Sequence, residues 1–305
     1  MTFTQEWLAD LVEVRYHGGC NDGWCAAFIT KVLLARLGRP DRQLTPVVHG
    51  QPPADLTGRT LYVDYCPPRE WLETQDPTNV GIIDHHQTNA ANIGWWRERG
   101  GNVAFDVERS GARLAWDIVT EAIGPDPAVI SQFAPWTVRY VEDRDLWRWA
   151  LPESKAVNAF LAGVPHDFDE WCRLGFDTTA PMEAQWGGAA VLNVISEYVQ
   201  RTCEQGFLAE ITYRGRSAEE DRQWIMPLVN ASYQHSSEVA DELIRSTGMD
   251  IAGYFFQRSD GLWQYGFRSN GPDCSTIAKL FGGGGHRNAA GCQVAEQIHE
   301  WRASL

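Results

Sequence analysis

The run Val80-Gly81-Ile82-Ile83 breaks off abruptly at Asp84-His85-His86. An apolar strand that gives way to one carboxylate and two imidazoles is costly to bury unless something neutralises those groups. The same signature occurs twice more: residues 12–16 read as a strand that runs into His17, and 61–63 as a strand that ends in Asp64. Between them lies helical spacing over 24–37, with Asn21 or Asp22 as N-cap, Gly38 as the stop and Pro40 beyond it. A short strand is expected at 46–49, a short helix from 67 to 72, and a helix capped by Ser110 that ends near Gly124. This alternation implies a mostly parallel sheet covered by helices. Ligands of such sheets bind outside the carboxyl ends of the strands, which is where His17, Asp64, Asp84, His85 and His86 fall.

The pattern from about 126 to 206 is mainly helical, and 189–203 reads as a long helix able to join two domains. A second α/β unit follows. Strands are expected at 207–213 and 224–229, a strand pair at 251–256 and 262–267, and helices at 238–246 and 275–281. The last helix meets Gly282-Gly283-Gly284-Gly285-His286. The fold class is therefore α/β with two α/β domains. A mostly parallel-sheet domain over 1–186 and a linker helix over 187–206 precede a smaller mixed-sheet domain over 207–305.

At 305 residues the chain fits two domains of ordinary size. Its 44% hydrophobic and 22% charged residues are a globular balance. No apolar run approaches the roughly 20 residues of a membrane span, and the first residues lack the basic start and apolar core of a secretion signal. Seven cysteines without CxxC pairs argue against a disulfide framework or zinc ribbon, so a reduced, cytoplasmic protein is expected. The net charge of −14 argues against a groove for long duplex DNA. A small anionic substrate stays compatible, because bound metals reverse the local sign.

The segment His17-Gly18-Gly19-Cys20-Asn21-Asp22-Gly23 follows a strand and opens a helix, which sets Asp22 beside helix N–H groups. Taken singly, Asp22 is a plain N-cap, Asp64 a common strand terminator, and Asp143 a surface partner of Arg144 or Arg139. Taken together with His17 and Asp84-His85-His86 they form a set of hard and borderline ligands that suits manganese, iron, cobalt or zinc. Crowded carboxylates without a metal would repel and take up protons. Two metals bridged by one carboxylate can clamp a phosphoryl group and activate water. In the second unit, four glycines allow positive φ and let backbone N–H groups converge on an anion. His286 and the Arg268-Ser269 fork add donors for phosphate. The bland alternative for the glycines is an ordinary hairpin.

On these motifs the chain resembles the DHH phosphoesterases that carry a DHH-associated C-terminal domain. Those include RecJ-type exonucleases, nanoRNases, cyclic dinucleotide phosphodiesterases, exopolyphosphatase-like proteins and manganese-dependent pyrophosphatases. The resemblance rests on residues 17–23, Val63-Asp64, Asp84-His85-His86, Val141-Glu142-Asp143, and the glycine run followed by His286-Arg287-Asn288-Ala289-Ala290-Gly291. It implies that His17 binds a first metal, that Asp22, His85 and Asp143 bind a second, and that Asp64 bridges both. It implies that Asp84 orients a histidine and that His86 faces the scissile phosphate. Arg268, Ser269, Gly283, Gly284, Gly285 and His286 would grip the other end of the substrate. The implied cofactor is Mn2+, one or two ions, with Mg2+ or Co2+ as substitutes.

One stretch departs from the family pattern of Asp-x-Asp after the histidine. It reads Cys20-Asn21-Asp22, one residue shorter, as in a subgroup that opens His-x-x-Cys-x-Asp-Gly. Cys20 either replaces the first acid as a ligand or is a small buried residue under the loop. The implied activity is metal-dependent hydrolysis of short oligonucleotides or small nucleotides by metal-activated water, without a membrane or long duplex partner and with the oligomeric state left open. Exopolyphosphatase or pyrophosphatase chemistry is the nearest rival, and a catalytically weakened nucleotide sensor is the alternative from another class. Among softer features, Arg109-Ser110-Gly111 could contact substrate or brace the metal loop, and Asn230 with Ser236, Ser237 and Glu238 could help shape the domain cleft, with an ordinary structural role the first reading of both. Trp95-Trp96 is expected to pack, and His49 and His235 to be ordinary polar positions.

Overall fold

The computed structural model describes residues 3–48, 53–124, 134–177 and 179–305. It divides into two compact units, Met1–Leu192 and Asn193–Leu305. His49 lies outside the described residues.

The first unit opens with α1 (Gln5–Ala9) and continues through β1 (Glu13–His17), α2 (Asn21–Ala35), β2 (Gln43–Val47), β3 (Thr60–Val63), α3 (Arg69–Leu72), β4 (Val80–Asp84), α4 (Ala90–Glu98), β5 (Asn102–Phe105) and α5 (Gly111–Ile123). Its five strands pair in the order β2-β1-β3-β4-β5, all parallel. The chain direction across the sheet reverses between β1 and β3. A crevice opens at such a switch point beyond the strand ends, and His17 and Asp64 flank it. Helix α2 is buried almost all round, with Trp24, Cys25, Phe28, Ile29, Leu33 and Leu34 at most 4% exposed. It is a core helix rather than a surface one. Its N-cap is Cys20, whose extended backbone (φ −132°, ψ 156°) precedes Asn21 already in the helix, so neither Asn21 nor Asp22 caps it.

Trp96 on α4 is wholly buried and donates its indole N–H to the Val80 carbonyl at 3.2 Å, which makes it a packing residue. Helix α4 and strand β5 are not among the elements expected from the sequence. Buried Arg15 and Glu13 on β1 pair at 2.9 Å. Arg15 also donates to the Tyr62 hydroxyl and to the Ala54 and Asp55 carbonyls, so this buried charge is fully partnered. Four more helices follow: α6 (Trp136–Asp145), α7 (Ser154–Ala162), α8 (Phe168–Phe176) and α9 (Ala180–Cys203). The last is longer than the expected linker helix, and the division between the units falls inside it.

The second unit holds β6 (Phe207–Tyr213), β7 (Arg222–Asn230), α10 (Ser236–Thr247), β8 (Ile251–Gln257), β9 (Trp263–Ser269), α11 (Ser275–Leu280), β10 (Gly284–His286), β11 (Ala289–Val294) and β12 (His299–Ser304). The sheet order is β10-β11-β9-β8-β7-β6-β12, antiparallel except for β7 with β8. The chain thus has two α/β units, one with a parallel and one with a mixed sheet. Among the described residues no helix is long and apolar enough to cross a membrane. All seven cysteines are free thiols.

Candidate metal centre

Asp64 is the hub of the first unit's strand ends. It sits directly after β3 in the left-handed region (φ 56°), unusual for a side-chain-bearing residue but tolerated by aspartate. Its backbone N–H is tied to the Ile83 carbonyl at 2.8 Å. The two carboxylate oxygens serve different neighbours. Oδ1 lies 3.1 Å from His85 Nε2, while Oδ2 lies 3.6 Å from His17 Nδ1 and 3.5 Å from Cys20 Sγ. Donor atoms of Asp22, Asp64 and His85 fall within 4.8 Å of one another, and so do those of His17, Cys20 and Asp64. The structure thus brings together the ends of three different strands, as the sequence pattern predicts.

Asp22 is held by a neighbouring helix rather than by its own. Its carboxylate accepts the N–H of Gly111 at 2.6 Å and of Ala112 at 3.0 Å, the first amides of α5. A carboxylate at a helix N-terminus gains from the unsatisfied amides and the helix dipole. Ser110 caps the same helix by accepting from Arg113 N. The stretch Arg109-Ser110-Gly111 therefore braces the centre. Arg109 itself is engaged by Asp106 and Asp117, each at 2.9 Å.

Asp84 works behind the two histidines. Its Oδ1 accepts from the backbone N–H of His85 at 2.8 Å and sits 2.7 Å from His86 Nδ1, while Oδ2 accepts from Asn89 at 2.6 Å. The histidine that Asp84 orients is thus His86. An acceptor on Nδ1 fixes the ring and leaves Nε2 as the nitrogen for other work.

The expected ligand Asp143 makes other bonds in the structure. Its carboxylate accepts from the N–H groups of Ala150 at 2.9 Å and Leu151 at 3.3 Å, so it orders the turn after α6. Asp145, two residues on, reaches the centre instead, with Oδ2 3.6 Å from His85 Nε2. Two positions along a helix rotate a side chain by roughly 200°, so only one of these acids can face the strand ends. We expect Asp145→Ala to weaken divalent-metal binding by about tenfold or more while leaving the fold intact. Asp143→Ala should spare metal binding and cost about 1–2 kcal/mol of stability through two stranded amides. Isothermal titration with Mn2+ beside thermal unfolding of both variants separates these outcomes.

The charges behave as a group. Burial pushes the Asp22 carboxyl well above its usual range, reinforced by Asp145 and Asp64 and opposed by His85. Burial acts the same way on Asp64, but hydrogen bonds from His17 and His85 and the nearby imidazolium charges outweigh it and hold that carboxyl well below its usual value. Burial disfavours charge on both histidines of the triplet. Asp145, Asp64 and Asp22 nevertheless drive His85 well above the ordinary imidazole value, and Asp84 lifts His86 to about 9. Protons, in other words, stand in for positive charge that these acids demand. A divalent cation on oxygen and imidazole donors meets the same demand, so the donor set fits one.

In the second unit, Arg268 on β9 stands in register with Ala289 on β11, and Ala289 with His286 on β10. Directly paired residues share a sheet face, so Arg268 and His286 flank a small alanine on one side of the sheet. Arg268 also donates to Ser237 Oγ at 2.6 Å, at the start of α10. Ser269 departs from its expected role. Its buried hydroxyl donates to the Pro272 carbonyl at 2.7 Å, which makes it a turn residue. The glycine run is likewise not a free nest. The Gly282 and Gly283 amides donate to Lys279 and Ala278 carbonyls, ending α11. A side chain at Gly283 would overlap the Gly291 carbonyl oxygen, and Gly285 needs φ +135°. Gly284 continues as β10 against Gly291. Close strand packing therefore explains much of this run.

Residues 223–304 match the DHHA1 domain. The match lies wholly within the second unit. Over 94% of its length the chain superposes on 83% of a solved DHH domain from a member of the s1p family of ribosomal proteins, with a TM-score of 0.56 and 11% identity. RecJ in complex with Mn2+ from Thermus thermophilus aligns with 92% of this chain at a TM-score of 0.47 and 19% identity, using 49% of the RecJ chain. An uncharacterized protein of Acanthamoeba polyphaga mimivirus is 22% identical over 297 residues, which is 91% of this chain and 66% of that one. The chain thus spans just under two thirds of the length of the curated relative it matches.

Proposed function

We propose that this protein is a divalent-metal-dependent phosphohydrolase of the DHH type acting on small phosphate-bearing substrates, with short oligonucleotides or nucleotides as the first choice. The observation that carries the reading is the split use of Asp64. One oxygen faces His85, whose Nε2 is also 3.5 Å from Asp22, and the other faces His17 and Cys20, the arrangement of a carboxylate shared by two cations. His17, Cys20 and Asp64 would hold one ion; Asp22, Asp64, His85 and Asp145 would hold the other. Bound there, Mn2+ or a related ion neutralises phosphoryl oxygens and lowers the pKa of water.

The chain's own residues supply the rest. Asp84 fixes the His86 ring, whose Nε2 then donates to a phosphate oxygen as negative charge builds. The amides of Gly111 and Ala112 keep Asp22 from swinging away. In the second unit, the Arg268 fork and His286, on one sheet face, suit a phosphate group. The net charge of −14 favours a short substrate over a long strand.

The test is turnover by purified protein with Mn2+, Mg2+ or Co2+ on dinucleotides, cyclic dinucleotides, mononucleotides, pyrophosphate and polyphosphate. Cleavage of at least one class is expected, fastest on short nucleotide substrates and abolished by chelation. Cleavage confined to pyrophosphate or polyphosphate would move the substrate class to the phosphoanhydrides. No cleavage of any phosphate compound with any metal would overturn the reading.

A further inference from the structure

The three donor atoms around Asp64 Oδ2 form a compact triangle. Cys20 Sγ is 3.3 Å from His17 Nδ1 and 3.5 Å from Asp64 Oδ2, and His17 Nδ1 is 3.6 Å from Asp64 Oδ2. We propose that His17, Cys20 and Asp64 form a thiolate-bearing site that selects zinc or cobalt(II) over manganese and magnesium, so that the two halves of the centre take different metals. The inference rests on the metal-dependent reading above and adds the identity of one ion.

Geometry is the first argument. With sulfur at about 2.3 Å, nitrogen at about 2.0–2.1 Å and oxygen at about 2.0–2.2 Å from a tetrahedral ion, the sulfur–nitrogen and sulfur–oxygen edges are roughly 3.5–3.7 Å and the nitrogen–oxygen edge roughly 3.3–3.5 Å. The observed edges of 3.3, 3.5 and 3.6 Å lie within about 0.3 Å of that face, and three protein donors with one open position are the pattern of catalytic zinc. Ligand softness is the second. A thiolate with an imidazole prefers zinc or cobalt, whereas the Asp22, Asp64, His85 and Asp145 group is dominated by oxygen and suits manganese or magnesium. The third is the position of Cys20. Its Sγ accepts weakly from Gly23 N at 3.4 Å as the cap of α2. Serine, threonine, asparagine or aspartate would cap better, so the cap alone does not account for sulfur at this place. Ligation replaces the thiol S–H bond by a sulfur–metal bond, and the proton leaves to solvent.

Cobalt(II) titrated into metal-free full-length protein reads sulfur ligation directly, through the near-ultraviolet charge-transfer band of a cobalt–thiolate bond. The parent and Cys172→Ser are expected to develop the band. Cys20→Ser keeps an oxygen acceptor for Gly23 N–H and should bind cobalt without it. Cys20→Asp should lower the ratio of zinc to manganese affinity by about tenfold or more. Circular dichroism establishes that each variant is folded. A parent that binds cobalt, seen by its visible bands, yet shows no near-ultraviolet band would overturn the thiolate site while the metal-dependent reading stands. A band that persists in Cys20→Ser would overturn it too. A folded parent that binds no cobalt at all would overturn both.

Discussion

Asp64→Asn is expected to lower phosphohydrolase turnover by about 10³-fold or more and to abolish the rise in melting temperature that Mn2+ gives the parent. Asparagine keeps the size of the side chain and tolerates the left-handed backbone that this position requires (φ 56°). The substitution therefore removes charge without adding strain. What it removes is the single group placed against both donor clusters: Oδ1 against His85 Nε2 at 3.1 Å, Oδ2 against His17 Nδ1 at 3.6 Å. In metal-free protein two effects oppose each other. His85 loses its nearest carboxylate, and Asp22 loses a like-charged neighbour. The metal-free melting temperature should accordingly shift by only a few degrees. Calorimetric scans with and without Mn2+, run beside the turnover assay, check both halves. Retention of more than a tenth of parental activity would contradict the assignment of Asp64 as a shared ligand.

Gly111→Ala is expected to damage the same centre from behind. A Cβ at this position would lie 2.6 Å from Asp64 Cβ and 2.9 Å from Asp22 Oδ2, distances no carbon sustains. The residue sits at the first position of α5, and its amide holds Asp22 at 2.6 Å. The helix start must back away, and both acids must follow. Overpacking of this kind costs about 1–3 kcal/mol, and displacement of ligands by about 1 Å costs roughly 10²-fold in rate. Gly94 on α4 is the control. A Cβ there meets nothing within 4 Å, so Gly94→Ala should stabilise by about 0.5–1 kcal/mol and leave turnover unchanged. Thermal unfolding and kcat of the two variants give the comparison. A Gly111→Ala protein with parental stability and rate would remove α5 from the account of how Asp22 is placed.

The residues that were legible in the sequence are those whose position follows from a strand. His17, Asp64 and the Asp84-His85-His86 triplet terminate apolar runs, and parallel strands deliver their ends to one edge whatever the intervening loops do. Arg268 and His286, read from a strand end and the glycine run, fall on one face of the second sheet. Asp145 was not legible. The segment Glu142-Asp143-Arg144-Asp145 offers three acids, and which one meets His85 depends on the rotational phase and end of α6, a matter of packing against α2 and α5 rather than of local pattern. Cys20 as the cap of α2 was equally hidden, since oxygen-bearing Asn21 and Asp22 stand beside it and match the usual preference. Ser269 and Gly283 read as phosphate binders because a hydroxyl and a glycine suit that task. The turn and the close strand packing in which they sit depend on Pro272, three residues on, and on Gly291 in β11.

The central claim is that Asp64 is shared by two cations. Crystals grown with Zn2+ and Mn2+ together and measured for anomalous scattering test it most directly. The account predicts two peaks, one against Asp64 Oδ1 with Asp22, His85 and Asp145, the other against Asp64 Oδ2 with His17 and Cys20. Peaks that leave Asp64 uncoordinated, or no anomalous density at these strand ends in a protein that still cleaves its substrate, would contradict it.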